Sequence, residues 1–283
     1  MNRNNQDRLG GHRPTPAEPP VQANQAFDPL SFVAPTEFVE IPSGGMYPEN
    51  HPMHGKDVLE IRFMTAKEED ILSSQTLLKK GIALERMLDS LIIENGLKAR
   101  DLLIGDRNAL IIAARISGYG ANYKTQTICP ACGGRSHIDF DLNKRAIKKS
   151  SESETLKLEK LKNGNFQTQT PYSKFKIEFR LLNGKDEMNL SRINIDKKKN
   201  KMPESYLTDQ FKMMIVSIEG HNDKSIIERY VDNMPTRDSR HIRACYKIAS
   251  PDVKVTHDFS CVSCSYEQEL EVPFNADFFW PDR

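Results

Sequence analysis

The clearest patterning along this chain is a switch between periods of two and of three to four. From Asp57 to Met64, Leu59, Ile61 and Phe63 alternate with Glu60 and Arg62, which predicts a half-buried strand. Thr65-Ala66-Lys67-Glu68 then has the order of a capping box. The threonine oxygen is placed to accept from the amide three residues on, while Glu68 reaches back. A helix is expected to follow, with Ile71, Leu72 and Leu78 inward and Lys79-Lys80-Gly81 at its end. A second helix is predicted over 83–95, with Leu84, Leu88, Leu91 and Ile92 on one face and Gly96 closing it. Asp106 is placed to cap a third, in which Leu110, Ile111, Ala114 and Ile116 face inward before Gly118-Tyr119-Gly120. Further on, Phe175, Ile177, Phe179 and Leu181 alternate with Lys, Glu and Arg, giving another strand. Helices are predicted near 185–195, 207–218, 223–233 and 236–249. Leu207, Phe211, Ile215 and Ile218 form the clearest stripe.

Two stretches lack such a pattern. Residues 1–37 form a proline-rich arm among Asn, Gln, Gly and Ala, with too little apolar surface to offset the entropy of ordering. It reads as a disordered tail, or as an arm that orders on a partner through Phe27, Leu30, Phe32 and Val33. Residues 144–173 form an insert rich in Lys, Ser and Glu, expected to be a solvated linker or hairpin, and Lys197-Lys198-Lys199-Asn200-Lys201 is expected to be an exposed loop. The resulting division is arm 1–37, first half 38–143, insert 144–173 and second half 174–283, an α+β chain of two helix-rich halves.

The 283 residues carry 40 Lys and Arg against 39 Asp and Glu, a net charge of +1. That balance excludes a polybasic nucleic-acid binder working by bulk attraction and an acidic tail protein, though not a local patch of either sign. The opening residues contain no apolar h-region, and no window approaches the roughly 18 apolar residues of a membrane span. A soluble protein made in a cytoplasm is expected.

Four of the five cysteines form Cys129-Pro130-Ala131-Cys132 and Cys261-Val262-Ser263-Cys264. The pairs are 132 residues apart, and the offset extends beyond them. Asp106 matches Asp238, Leu110 matches Ile242, Ala113 matches Cys245 and Ile116 matches Ile248, while Ile138, Phe140 and Leu142 match Leu270, Val272 and Phe274. Cap, helix stripe, knuckle and following strand agree in one register, which favours an internal duplication. Cys245 falls on the apolar face of a helix, where packing is its expected role.

A Cys-x-x-Cys turn sets two thiolates at bite distance for one tetrahedral ion, and two such turns close the shell. Alternating apolar residues flank each turn, so each pair is expected at the tip of a hairpin. Cys129, Cys132, Cys261 and Cys264 are the predicted ligands of a structural Zn2+ in a ribbon-like β element joining the halves. Three rivals stay open. The pairs could be redox disulfides, although neither lies at a strand-to-helix turn. His137 or His257 could replace a cysteine. The metal could have been lost and the fold kept.

No catalytic pattern stands out. There is no Gly-x-Gly-x-x-Gly or Walker sequence in the required strand-helix context, no Gly-x-Ser-x-Gly and no His-Glu-x-x-His. A closed four-thiolate shell offers no open metal position, so no enzyme and no small-molecule substrate are expected.

Several short motifs occur in a telling order: Ile41-Pro42-Ser43-Gly44-Gly45-Met46-Tyr47-Pro48, Met64-Thr65-Ala66-Lys67-Glu68-Glu69-Asp70-Ile71-Leu72, Leu77-Leu78-Lys79-Lys80-Gly81, Gly105-Asp106-Arg107-Asn108 and Gly118-Tyr119-Gly120. With Cys261-Val262-Ser263-Cys264 leading to Phe278-Phe279-Trp280-Pro281, the chain resembles baseplate proteins of contractile-tailed, T-even-type bacteriophages over 38–142 and 174–283. The resemblance implies a non-enzymatic component or assembly factor of the baseplate hub. Its partners would be other baseplate proteins, met in the host cytoplasm during assembly or in the virion tail. Phe278, Phe279 and Trp280 are candidate partner-binding anchors, since aromatic residues dominate interface hot spots; closing the core is the other role open to them. The alternative reading, a zinc-ribbon nucleic-acid binder, requires the insert lysines and the 197–201 run to share one face.

Overall fold

The computed structural model describes residues 34–272, 274, 278 and 279. The proline-rich arm, with Phe27, Leu30, Phe32 and Val33, lies outside the described residues apart from 34–37, and Trp280 lies outside them as well.

The chain enters as a hairpin of β1 (Thr36–Glu40) and β2 (Val58–Arg62), paired antiparallel with Val39 opposite Leu59. Val39, Leu59 and Ile61 face the core, as the alternation requires. Next come α1 (Ala66–Ser73), α2 (Gln75–Lys79), α3 (Ala83–Leu91) and α4 (Ile104–Tyr119). Glu68 closes the start of α1 by accepting from both the amide (2.9 Å) and the hydroxyl (2.6 Å) of Thr65. It also accepts from the Ser90 hydroxyl of α3 and lies 3.9 Å from Arg62. Although burial alone would raise its pKa, these partners hold the Glu68 carboxylate below its ordinary range. The single helix expected over this stretch is two helices, because Ser74 is extended. Leu78 consequently ends half-buried.

Beyond α4 lie β3 (Asn122–Ile128), β4 (Arg135–Asp141), β5 (Ala146–Lys148), β6 (Glu159–Lys160), β7 (Phe166–Gln169) and β8 (Lys176–Phe179). Then follow α5 (Gly184–Lys199), α6 (Tyr206–Met214), β9 (Ile215–Ile218), α7 (Lys224–Asp232) and α8 (Thr236–Ala249). The described chain closes with β10 (Asp252–Lys254), β11 (Thr256–Ser260) and β12 (Glu267–Glu271). Strands β6-β7-β8-β9 form an antiparallel sheet, and the remaining strands pair in twos.

Three expectations are corrected here. The helix predicted over 207–218 stops at Met214, and Ile215–Ile218 pair with β8 as a strand. A run of Ile-Val-Ser-Ile satisfies a sheet edge better than a further helical turn. The 83–95 helix likewise stops at Leu91, and Ile92 bridges Ile61. Residues 144–173 contain the expected hairpin, β6 with β7, but they are not a solvated linker. Their β5 pairs with β10, their β7 lies inside the sheet, and Leu158 and Phe166 are buried.

Asp106 and Asp238 are corrected as helix caps. Leu103 and Pro235 hold the N-cap positions, and each aspartate sits in the first turn of its helix. Each is fully buried and receives a loop instead. Asp106 accepts from the Ser43 amide (2.9 Å) and the Tyr47 hydroxyl (2.5 Å). Asp238 accepts from the amides of Tyr172 (2.8 Å) and Ser173 (3.0 Å). Burial pushes the Asp106 carboxyl above its ordinary pKa, against the pull of those donors. Replacing Asp238 with alanine leaves two amides of the 170–174 turn without their acceptor. A loss of about 1–3 kcal/mol in denaturant unfolding is expected.

Buried side chains run without a break from Val39 and Ile41 to Val272 and Phe279, so the two ends of the described chain share one core. At Gly105 the backbones pack tightly, since a Cβ there would stand 2.1 Å from the Pro251 carbonyl oxygen. Only glycine lets the start of α4 lie against the entrance to β10.

Candidate metal centre

Each cysteine pair sits at the tip of a hairpin. Strands β3 and β4 pair from Asn122↔Asp141 to Ile128↔Arg135, and β11 and β12 from Thr256↔Glu271 to Ser260↔Glu267. The two turns repeat one hydrogen-bond pattern. Cys129 donates its amide to the Gly134 carbonyl and its own carbonyl accepts from Gly133; Cys261 donates to Tyr266 and accepts from Ser265. Gly133 and Ser265 occupy the same place in the turn and both have positive φ, 71° and 55°. Glycine takes that conformation freely, whereas Ser265 holds it at some cost.

All four cysteines are free thiols, and their sulfurs lie within 4.8 Å of one another. Each turn supplies one buried thiol, Cys129 or Cys261, and one exposed thiol, Cys132 or Cys264. The close approaches cross between turns: Cys129 Sγ is 3.7 Å from Cys264 Sγ, and Cys132 Sγ is 3.7 Å from Cys261 Sγ. A tetrahedron of sulfurs about 2.3 Å from a central ion has an edge of roughly 3.8 Å, so donors and spacing fit one tetrahedral metal ion. The backbone prepares one of the thiolates, Cys261, whereas at Cys264 a backbone contact at Tyr266 is outweighed by Cys132 and the other neighbouring thiols, with desolvation, which push it up to about 12. The Ser263 amide points at Cys261 Sγ from 3.4 Å. Backbone donors at Ser263 and Cys264 hold the Cys261 thiol down at about 6. Among the described residues this is the one group of three or more Cys, His, Asp or Glu side chains placed to share an ion, and His137 and His257 are not members. His257 instead lies against the Phe140 ring at 5.6 Å.

The fifth thiol is separate. Cys245 is fully buried in α8, 3.5 Å from Thr168 Oγ1 and from His241 Nε2, and burial pushes its pKa up. It is a packed thiol, as its position on the helix face predicts.

Of the two roles open to the C-terminal rings, Phe278 and Phe279 have the placement of the core-closing one, since both are buried. Phe278 meets Tyr123 edge-on at 4.9 Å and Phe274 at 5.6 Å, and Phe279 meets Tyr119 at 6.1 Å. Arg115, itself buried, donates from Nε to the Phe278 carbonyl and from a guanidinium nitrogen to the Gly120 carbonyl, and it stands over the Tyr119 ring. Nothing in the local pattern singled out Arg115, since a charge on an apolar helix face reads as solvent-facing until the aromatic residues that cover it are in place.

The fold and the site together define a mixed helix-and-strand protein with antiparallel sheets, whose distant Cys-x-x-Cys turns converge on a four-thiol, metal-competent cluster. The chain belongs to the family described as T4 bacteriophage base plate protein, whose model matches residues 35–280. It is therefore a phage baseplate structural protein. No curated protein and no solved structure matches it. Among the described residues, no helix is long and apolar enough to cross a membrane.

Proposed function

We propose that this chain is a non-enzymatic part of the baseplate hub, or a factor that assembles it, and that it works through contacts with other baseplate proteins. One Zn2+ on Cys129, Cys132, Cys261 and Cys264 fixes its shape. The observation that carries this reading is a four-thiol cluster, drawn from two hairpins 132 residues apart, inside a family match over residues 35–280. A shell closed by four thiolates has no position for substrate, which makes the metal a staple rather than a catalyst. Its place of action is the host cytoplasm during assembly, and the tail baseplate where the chain stays in the particle.

The two halves are the products of a duplication, joined by a zinc ribbon. Support comes from features beyond the cysteines. Arg62, Thr65 and Glu68 recur in the same spacing as Arg180, Asn183 and Asp186, each set joining a strand to the helix after it. Helices α3 and α6 both run into a short extended segment that pairs back onto the preceding strand. Asp106 and Asp238 both receive a loop.

Mass spectrometry of purified particles, beside baseplate assembly in the chain's absence, tests the role. Assembly is expected to fail without it. Peptides of the chain in the particle would make it a resident component, and their absence an assembly factor. Normal baseplates assembled without the chain would overturn both.

A further inference from the structure

Two exposed surfaces remain unused by the fold, and they carry opposite charge. The first is the hairpin of α5 and α6. None of the residues from Ser191 to Gln210 is buried, so this hairpin stands away from the core. Lys197 pairs with Asp209 at 2.6 Å and holds the two helices together. Arg192, Lys198, Lys199 and Lys201 pair with no carboxylate among the described residues. Between them Ile195, Met202 and Tyr206 are each at least half exposed.

The second is the outer face of the β11–β12 hairpin. In antiparallel pairing, residues directly opposite share a face. Asp258 is opposite Glu269, Thr256 opposite Glu271 and Ser260 opposite Glu267, which gathers four carboxylates on one side. Phe259 and Leu270 turn to the other side, against the core. Lys254 pairs with Glu271 at 2.6 Å and also attracts Glu269 at longer range, while Asp258 and Glu267 form no ion pair among the described residues. Like charges directly opposite destabilise a hairpin. The same hairpin ends in exposed apolar side chains, with Val262 88 % accessible and Tyr266 and Ile128 of the facing turn beside the cluster.

We propose that these surfaces bind each other between copies of the chain: the basic tip of α5–α6 in one copy docks on the acidic face of β11–β12 in the next. Each surface supplies what the other lacks. Lysines meet the repelling Asp258 and Glu269, and Ile195, Met202 and Tyr206 meet Val262 and Tyr266. The net charge of +1 conceals the match because the two blocks cancel. The contact joins unlike patches, so it propagates head to tail until a ring closes. It concerns a second copy of this chain and stands apart from the reading of its place in the baseplate.

Sedimentation velocity on the full chain tests it. At about 50 mM salt the protein is expected to self-associate, and at about 500 mM to return to monomer. Lys198→Ser with Lys199→Ser and Lys201→Ser is expected to weaken association at least tenfold, and Glu267→Gln with Glu269→Gln to do the same. All five positions are exposed, and unchanged thermal melts would show that folding survives. The decisive sample mixes the two variants. Each retains one good surface, so together they should form a 1:1 pair and nothing larger. A chain that stays monomeric at low salt, variants that associate as before, or a mixture that stays monomeric would each overturn the proposal. Association lost in the lysine variant but kept in the glutamate variant would assign the basic tip to another acidic surface and overturn it equally.

Discussion

Serine at Cys264, or removal of metal by a strong chelator, is expected to lower the stability of this protein by about 4–5 kcal/mol. The estimate follows from what the cluster joins. Cys132 and Cys261 are close across the site, yet residues 133–260 separate them along the chain. A cross-link closing a loop of that order removes denatured-state entropy worth about 5 kcal/mol at 25 °C, and loop length enters only logarithmically. For a protein of this size the midpoint should fall by about 8–20 °C, at roughly 2–4 °C per kcal/mol. Thermal melts with zinc measured on the same samples would show both losses together. Cys245→Ser is the control, because that thiol lies in the core beside Thr168 and should leave the zinc content unchanged. Full stability in metal-free Cys264→Ser protein would mean that the hairpins hold the halves together unaided.

Phe278→Ala should cost nearly as much, about 3–5 kcal/mol in denaturant unfolding of the isolated chain. The ring is fully buried among Tyr123, Phe274 and Phe279, and the carbonyl of the same residue accepts from the Arg115 guanidinium. Truncation empties a ring-sized site in which a buried cation has its partners. A ring kept only for a partner would give another result: unchanged stability alone and weakened binding in the assembly. The measurement therefore separates the two roles that the sequence leaves open for these aromatic residues.

What the sequence makes legible follows from how local each signal is. Strands β2 and β8, the start of α1 and the hairpin tips depend on neighbouring residues, and all appear where the pattern places them. The convergence of the four cysteines is a long-range event, but ligand chemistry foretells it, because two half-sites have one economical partner each. The misreadings share a different cause. Ile215–Ile218 fit a helical stripe, and only the free edge of β8 makes them a strand. Asp106 and Asp238 look like caps, and only the arriving loops at Ser43 and Tyr172 show what they bind. The lysine-rich stretch 144–173 hides Leu158 and Phe166, which are too sparse to make a period yet sit in the core. Each depends on a surface supplied from elsewhere in the chain, which a window along the sequence does not contain.

The central claim is that one zinc ion, held by thiolates from two hairpins 132 residues apart in the chain, staples this baseplate protein together. Zinc-edge X-ray absorption on the full chain, purified without added metal, tests it most directly. The account predicts one zinc per chain surrounded by four sulfurs at about 2.3 Å. A shell containing nitrogen or oxygen ligands, or zinc-free protein whose stability is undiminished, would contradict it.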